Sequence, residues 1–135
     1  MTNRAIAIVC DMTNAPDTED ERLDEYRRLF ATALMGREKN GDRFRWRFRD
    51  DEGIEPWVRD LAAREQACCA FFSFTVSRSG GELRLDGTVV DDDAARAIME
   101  EFYNLPETLA EREITPVTLD ERFTRHGLQV LRPAQ

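Results

Sequence analysis

The chain is 135 residues long, with 41% hydrophobic and 34% charged residues and a formal charge of −8 at pH 7, which fits one soluble globular domain able to bury a core unaided. That charge excludes nucleic acid and anionic membrane as general partners, since both need a positive field over an extended face. The longest apolar runs, AIAIVC and ACCAFF, fall far short of the roughly 20 residues that cross a bilayer.

Residues 4–12, RAIAIVCDM, read as a central strand, with Ile6, Ile8, Cys10 and Met12 on one face and Ala5, Ala7 and Val9 on the other. This stretch reaches Asp11 too soon for a signal peptide. Three cysteines are an odd count that makes no disulfide framework. A cytoplasmic location is therefore expected. Asn14 and Pro16 turn the chain, and Thr18 with Glu21 has capping-box spacing at the start of a helix. Leu23, Tyr26, Phe30, Ala33 and Leu34 recur at helical intervals, Arg and Glu fill the other face, and Gly36 ends the pattern. The Asn40–Gly41 pair signals a hairpin, with residues 36–39 at most a short edge partner. Beyond it Phe44, Trp46 and Phe48 alternate with Arg43, Arg45, Arg47 and Arg49, a strand with one apolar and one wet face.

Pro56 marks the start of a second helix, whose stripe runs through Ile54, Trp57, Val58, Leu61, Glu65, Cys68, Cys69 and Phe72. Phe74 and Val76 begin a strand, Ser79–Gly80–Gly81 turns it, and Leu83, Leu85 and Val89 return. Asp91–Asp93 cap a third helix that points Ala95, Ile98, Met99 and Phe102 inward. After a core over about 4–104, an extension over about 105–135 offers a capping box at Thr118 and Glu121. His126 and Gly127 suit that helix's end, and LQVL a last short strand. No repeat or linker divides residues 1–135, so a single domain is expected. Its class is α+β, a two-layer sandwich of a mixed sheet covered by helices. With the short edge strand counted, the first six elements match a split β-α-β, ferredoxin-like unit.

Glu65 is the residue this pattern explains least. A carboxylate on an apolar stripe either lies at its rim, reaching water or an arginine, or is buried at a cost of several kcal/mol unless paired. Cys68 and Cys69 follow one turn later on the same face. They are either small core residues or candidate ligands for a soft metal, which binds the thiolate. The negative end of the helix dipole opposes an activated nucleophile there. Cys10 is the weaker third candidate. Ordinary crossovers would place it at the opposite end of a helix roughly 25 Å long. Tetrahedral zinc lacks a CxxC pair and has only the distant His126. Arg43, Arg45, Arg47 and Arg49 are expected to pair across strands with Glu82 or Asp86, or with a second subunit. Failing that, they form an anion site. The aromatic residues read as core, and Trp57 and Phe72 could line a ligand pocket with Glu65.

Glu65, Cys68, Cys69, Phe71 and Phe74 form an E-x-x-C-C-x-F-x-x-F segment. It resembles that of a group of short bacterial proteins, some similar to the C-terminal effector portions of MerR-type metal-responsive regulators. Cys10 on the first strand looks similar too, whereas the chain shows no N-terminal helix-turn-helix. The resemblance implies a thiol-dependent sensing or soft-metal role. Three functions follow: a small binding or sensor domain for a soft metal, metalloid or oxidant, with a soft metal ion as its cofactor; an enzyme using Glu65 as acid or base in an aromatic-lined pocket; or a homo-oligomerising module without a small ligand. The depth of Glu65, Cys68 and Cys69, and their distance from Cys10, separates these. Sulfurs within about 4 Å of one another suit a shared ion, whereas full burial with no cavity suits a plain core.

Overall fold

The computed structural model describes residues 8–111 and 116–132. In chain order these form β1 (Val9–Asp11), α1 (Glu19–Ala33), β2 (Leu34–Asn40), β3 (Arg43–Arg49), α2 (Ile54–Cys68), β4 (Phe72–Ser79) and β5 (Glu82–Val89). Then follow α3 (Asp93–Tyr103), α4 (Leu105–Ala110), α5 (Pro116–Arg125) and β6 (Gln129–Leu131). Ala5, Ile6 and Ala7, expected in the first strand, lie outside the described residues, as does the side chain of Thr118.

Four strands make an antiparallel sheet in the order β2-β3-β5-β4. Its inner face carries Phe44, Trp46, Phe48, Leu83 and Leu85, all buried, and α1, α2 and α3 pack over it. The class is therefore α+β, helices on one sheet. The strict alternation in β3 becomes this inner and outer division, because successive side chains of a strand point to opposite faces.

Local chemistry sets the boundaries. Thr18 Oγ1 accepts from the Glu21 N–H and Glu21 Oε1 accepts from the Thr18 N–H, closing the expected capping box. The helix ends at Ala33 because Leu34 is already extended, so Gly36 does not end it. Gly36 lies inside β2, which is a full seven-residue strand rather than a short edge fragment. The Arg47 guanidinium lies across it, 2.3 Å from where a Cβ would stand. The hairpin forms with Gly41 and Asp42 as its loop, one place on from the Asn40–Gly41 pair. α2 starts at Ile54, before Pro56. Pro56 is tolerated in that first turn, where its N–H has no intrahelical acceptor. α5 starts at Pro116, so Thr118 lies within the helix rather than at its cap.

The first strand is not part of the main sheet. β1 pairs in parallel with β6, Cys10 opposite Val130, and β1 packs against α2. The split crossover expected to begin with β1 runs instead from β3 through α2 to β4, with β5 inserted between those two strands. Distant pairing with the C-terminal strand, invisible to local pattern, moved β1.

Gly87 faces Phe44 in the β3–β5 register, and a Cβ there would come 2.3 Å from the ring. Phe44 cannot retreat, being fully buried among Trp46, Phe72 and Phe102. Gly87→Ala should therefore cost about 1–3 kcal/mol, the usual penalty of overpacking a filled core. Urea denaturation monitored by tryptophan fluorescence would read this as a lowered midpoint.

Candidate functional site

Two helical stripes each carry one charge, and packing brings them together. Tyr26 lies one turn after Arg22 on α1, and Glu65 lies near the end of α2. Glu65 is 5% exposed and Arg22 4%, so Glu65 is not a rim residue. Glu65 Oε1 accepts from the Tyr26 hydroxyl at 2.8 Å, and Oε2 lies 3.6 Å from Arg22 Nη1. Arg22 also grips Asp17 with Nε at 2.9 Å and Nη2 at 2.6 Å. Asp17 in turn meets Arg64, which reaches Glu25, the acceptor of the Trp57 indole N–H. A buried carboxylate is thus linked through alternating charges to the surface. Unpaired, it would cost several kcal/mol or become neutral.

The vicinal thiols diverge. Cys68 is the last residue of α2, and its sulfur lies 3.5 Å from Arg22 Nη1 and 3.4 Å from Met12 Sδ. Cys69 is the cap residue; its N–H bonds to the Glu65 carbonyl and its thiol points to Glu65 Oε2 at 3.5 Å. Cys10 joins this second group. One ligand atom each from Cys10, Glu65 and Cys69 lie within 4.8 Å of one another. The expectation that Cys10 sits a helix length away is thereby corrected. It presumed a first strand inside the main sheet, whereas β1 follows β6 past the C-terminal end of α2.

These groups form the polar end of a cavity of about 90 Å³. Its remaining wall is largely apolar, with Leu23, Ile98, Phe102, Phe123, Leu128 and Val130 contributing. Trp57 and Phe72 are not in that wall. Trp57 is partly buried against the core and hydrogen-bonded to Glu25 of α1. Phe72 is packed among Phe44, Phe71, Phe74 and Phe102. The arginines of β3 serve elsewhere. Arg45 forms a two-pronged pair with Asp86, Arg47 meets Glu38 and Glu82, and Arg49 meets Asp51 and the Thr32 carbonyl. Arg43 stands exposed opposite Thr88. Cross-strand pairing with Glu82 and Asp86 is thus as the alternation suggested.

Arg22 and the extension are what sequence reasoning missed. Arg22 shares a face with Tyr26 and Leu29, so a cation on one apolar stripe and an anion on the other was the available signal. Residues of the extension close the cavity, and Arg132 clasps Glu19 of α1 and Asp120 of α5. Among the described residues no helix is long and apolar enough to cross a membrane. Compared with known proteins, the chain matches no family model, no curated protein and no solved structure at a significant level.

The Cys68 and Cys69 thiols and the Tyr26 phenol are held protonated. The contact with Cys10, burial and the Glu65 charge push the Cys69 thiol well above its ordinary 9.0. Burial and Glu65 push Tyr26 well above its ordinary 10.0. Burial also raises Cys68, against the opposing pull of Arg22. Above about pH 9 the unfolded chain therefore loses protons that the folded chain keeps, and stability falls as pH rises. Between pH 9 and 11 the Tyr26→Phe/Cys69→Ala variant should lose stability less steeply than the native chain in denaturant titrations; parallel slopes would contradict this origin. At neutral pH, Arg22→Met should cost about 3–5 kcal/mol, because it strands a buried carboxylate. Adding Glu65→Leu should recover much of that loss, as calorimetry would show.

Proposed function

We propose that this chain is a thiol-dependent binding or sensor domain for a soft metal or metalloid, with Cys10, Cys69 and Glu65 as ligands. The observation that carries this reading is their convergence from β1, the cap of α2 and α2 itself at one end of a cavity. Tetrahedral bonds of about 2.3 Å to sulfur place neighbouring ligand atoms roughly 3.8 Å apart. Modest side-chain rotation reaches that spacing from the arrangement present. The likeness of the E-x-x-C-C-x-F-x-x-F segment to metal-responsive effector portions points the same way.

Charge supports the assignment. Without an ion the charges of the site are the Arg22 guanidinium set against the Glu65 carboxylate. A divalent soft ion that displaces both thiol protons leaves the sum unchanged, so Arg22 becomes counter-ion to an anionic complex rather than a repelling neighbour. Cys68 is left out of the ligand set, since its sulfur already faces Arg22 and Met12. An oxidant would act on the same Cys10 and Cys69 pair, one of whose thiols is half-buried.

Two finer readings accompany this. From β3 onward the order is β-α-β-β-α, and β2 occupies the edge place beside β3 that a strand after the second helix would take. We read this as a ferredoxin-like arrangement whose last strand has moved to its start. A homo-oligomer keeps no support from the arginine face, whose charges largely find partners within the chain.

Titration of the reduced protein with Cd²⁺, followed by thiolate-to-metal charge-transfer absorption, should give one ion per chain. About two protons should be released for each ion bound, because thiols must deprotonate to ligate. Cys10→Ser and Cys69→Ser should each weaken binding at least ~10-fold, the scale of losing one good ligand, whereas Cys68→Ser should retain it. Unchanged binding in the Cys10→Ser/Cys69→Ser double variant would sink the proposal.

A further inference from the structure

Resting on the thiol-dependent reading, we infer that the site's ligand carries its own short apolar group: a trivalent mono-organo metalloid, bound through arsenic by Cys10 and Cys69, with its alkyl substituent in the cavity. Two features of the structure select this class over a bare inorganic ion.

The first is the number of sulfurs. Inorganic trivalent arsenic is satisfied by three thiolates, but the third thiol here turns away. Cys68 contacts Arg22 and Met12 and is absent from the cluster of ligand atoms within 4.8 Å. Glu65 offers a hard carboxylate oxygen, which can complete the shell of a divalent ion but does not stand in for a third thiolate on arsenic. That leaves two thiols, the number an arsenic atom needs when its third bond is already to carbon.

The second is the shape and polarity of the space beyond the sulfurs. Leu23, Ile98, Phe102, Phe123 and Val130 face it and offer a methyl or other short alkyl group dispersion contacts, while Glu19 and Asp120 of the same lining are paired with Arg132. Its volume of about 90 Å³ is smaller than the roughly 150 Å³ apolar cavity that accepts benzene. Short alkyl groups fit inside, whereas a phenyl ring would have to displace the wall or project from the open side.

The exchange is balanced without an oxidant or reductant. With an alkylarsonous acid, R–As(OH)₂, two As–O bonds and two S–H bonds break while two As–S bonds form. Each thiol proton leaves with a hydroxyl group as water, and arsenic stays trivalent. Glu65 Oε2, 3.5 Å from the Cys69 sulfur, is placed to pass that proton to the departing hydroxyl. The dithioarsonite product is neutral, which suits a largely apolar pocket beside a charge pair that is already balanced.

The test titrates the reduced, full chain with methylarsonous acid, phenylarsonous acid and inorganic arsenite, reading intact mass and free-thiol loss, with Cd²⁺ titrated in parallel. Methylarsonous acid should form a one-to-one adduct that consumes two thiols, at least ten times tighter than either other arsenical. Leu23→Phe, which fills the cavity, should weaken methylarsonous binding about tenfold and leave Cd²⁺ binding unchanged. Leu23→Ala, which enlarges it, should raise phenylarsonous binding relative to methyl. Retained Cd²⁺ binding shows that each variant is folded. If Cd²⁺ binding depends on Cys10 and Cys69 but the arsenicals bind equally and ignore Leu23, the organic-ligand inference is overturned and the thiol reading stands. If no probe depends on Cys10 or Cys69, both fall.

Discussion

The buried pair of Arg22 and Glu65 is the interaction on which the rest of this structure depends. It forms between α1 and α2, where it gives the buried Glu65 carboxylate a cation, while Asp17 holds the other side of Arg22. The Tyr26 hydroxyl takes the second carboxylate oxygen, and Asp17 takes the remaining prongs of the guanidinium. Sliding either helix along the other would leave at least one buried charge without a partner. The pair thus sets the register of the two helices, a use of buried ionic groups distinct from any net gain in stability. Because Cys69 directly follows the end of α2, four residues after Glu65, the same register fixes where its thiol points.

The C-terminal extension completes what that register begins. β6 recruits β1 into a parallel pair away from the main sheet, bringing Cys10 to the Glu65–Cys69 corner. α5 and the residues after it supply Leu119, Phe123, Leu128 and Val130 to the cavity wall. The Arg132 clasp on Glu19 and Asp120 ties this closure back to α1. The cavity therefore joins residues of the core, Glu65 and Cys69 among them, to residues from both ends of the chain.

Much of the fold was legible locally. The Thr18–Glu21 box, the alternation of Phe44, Trp46 and Phe48, and the Asp92 cap each state a boundary or a face through nearest-neighbour chemistry. β2 was underestimated because Gly36 looks like a helix stop in one dimension, whereas pairing with β3 carries the strand through it. At the site, Glu65 stood out because a charge on an apolar stripe demands an explanation. Cys10 was set aside for a sound reason applied to the wrong sheet, and Trp57 and Phe72 were drawn in by aromatic character alone.

By itself, the sequence determined most of the elements and buried faces, though not the full β2 or α4, and the oddity of a carboxylate followed by two thiols, because helix and strand periodicity are local properties of the chain. Tertiary structure alone decided that Cys69 rather than Cys68 faces Glu65, that Cys10 joins them, and that Arg22 neutralises the group. These depend on a pairing between strands about 120 residues apart and on the crossing of two helices. Contacts at such separations are chosen by how the whole chain buries its charges and closes its core, which no window of neighbouring residues can express.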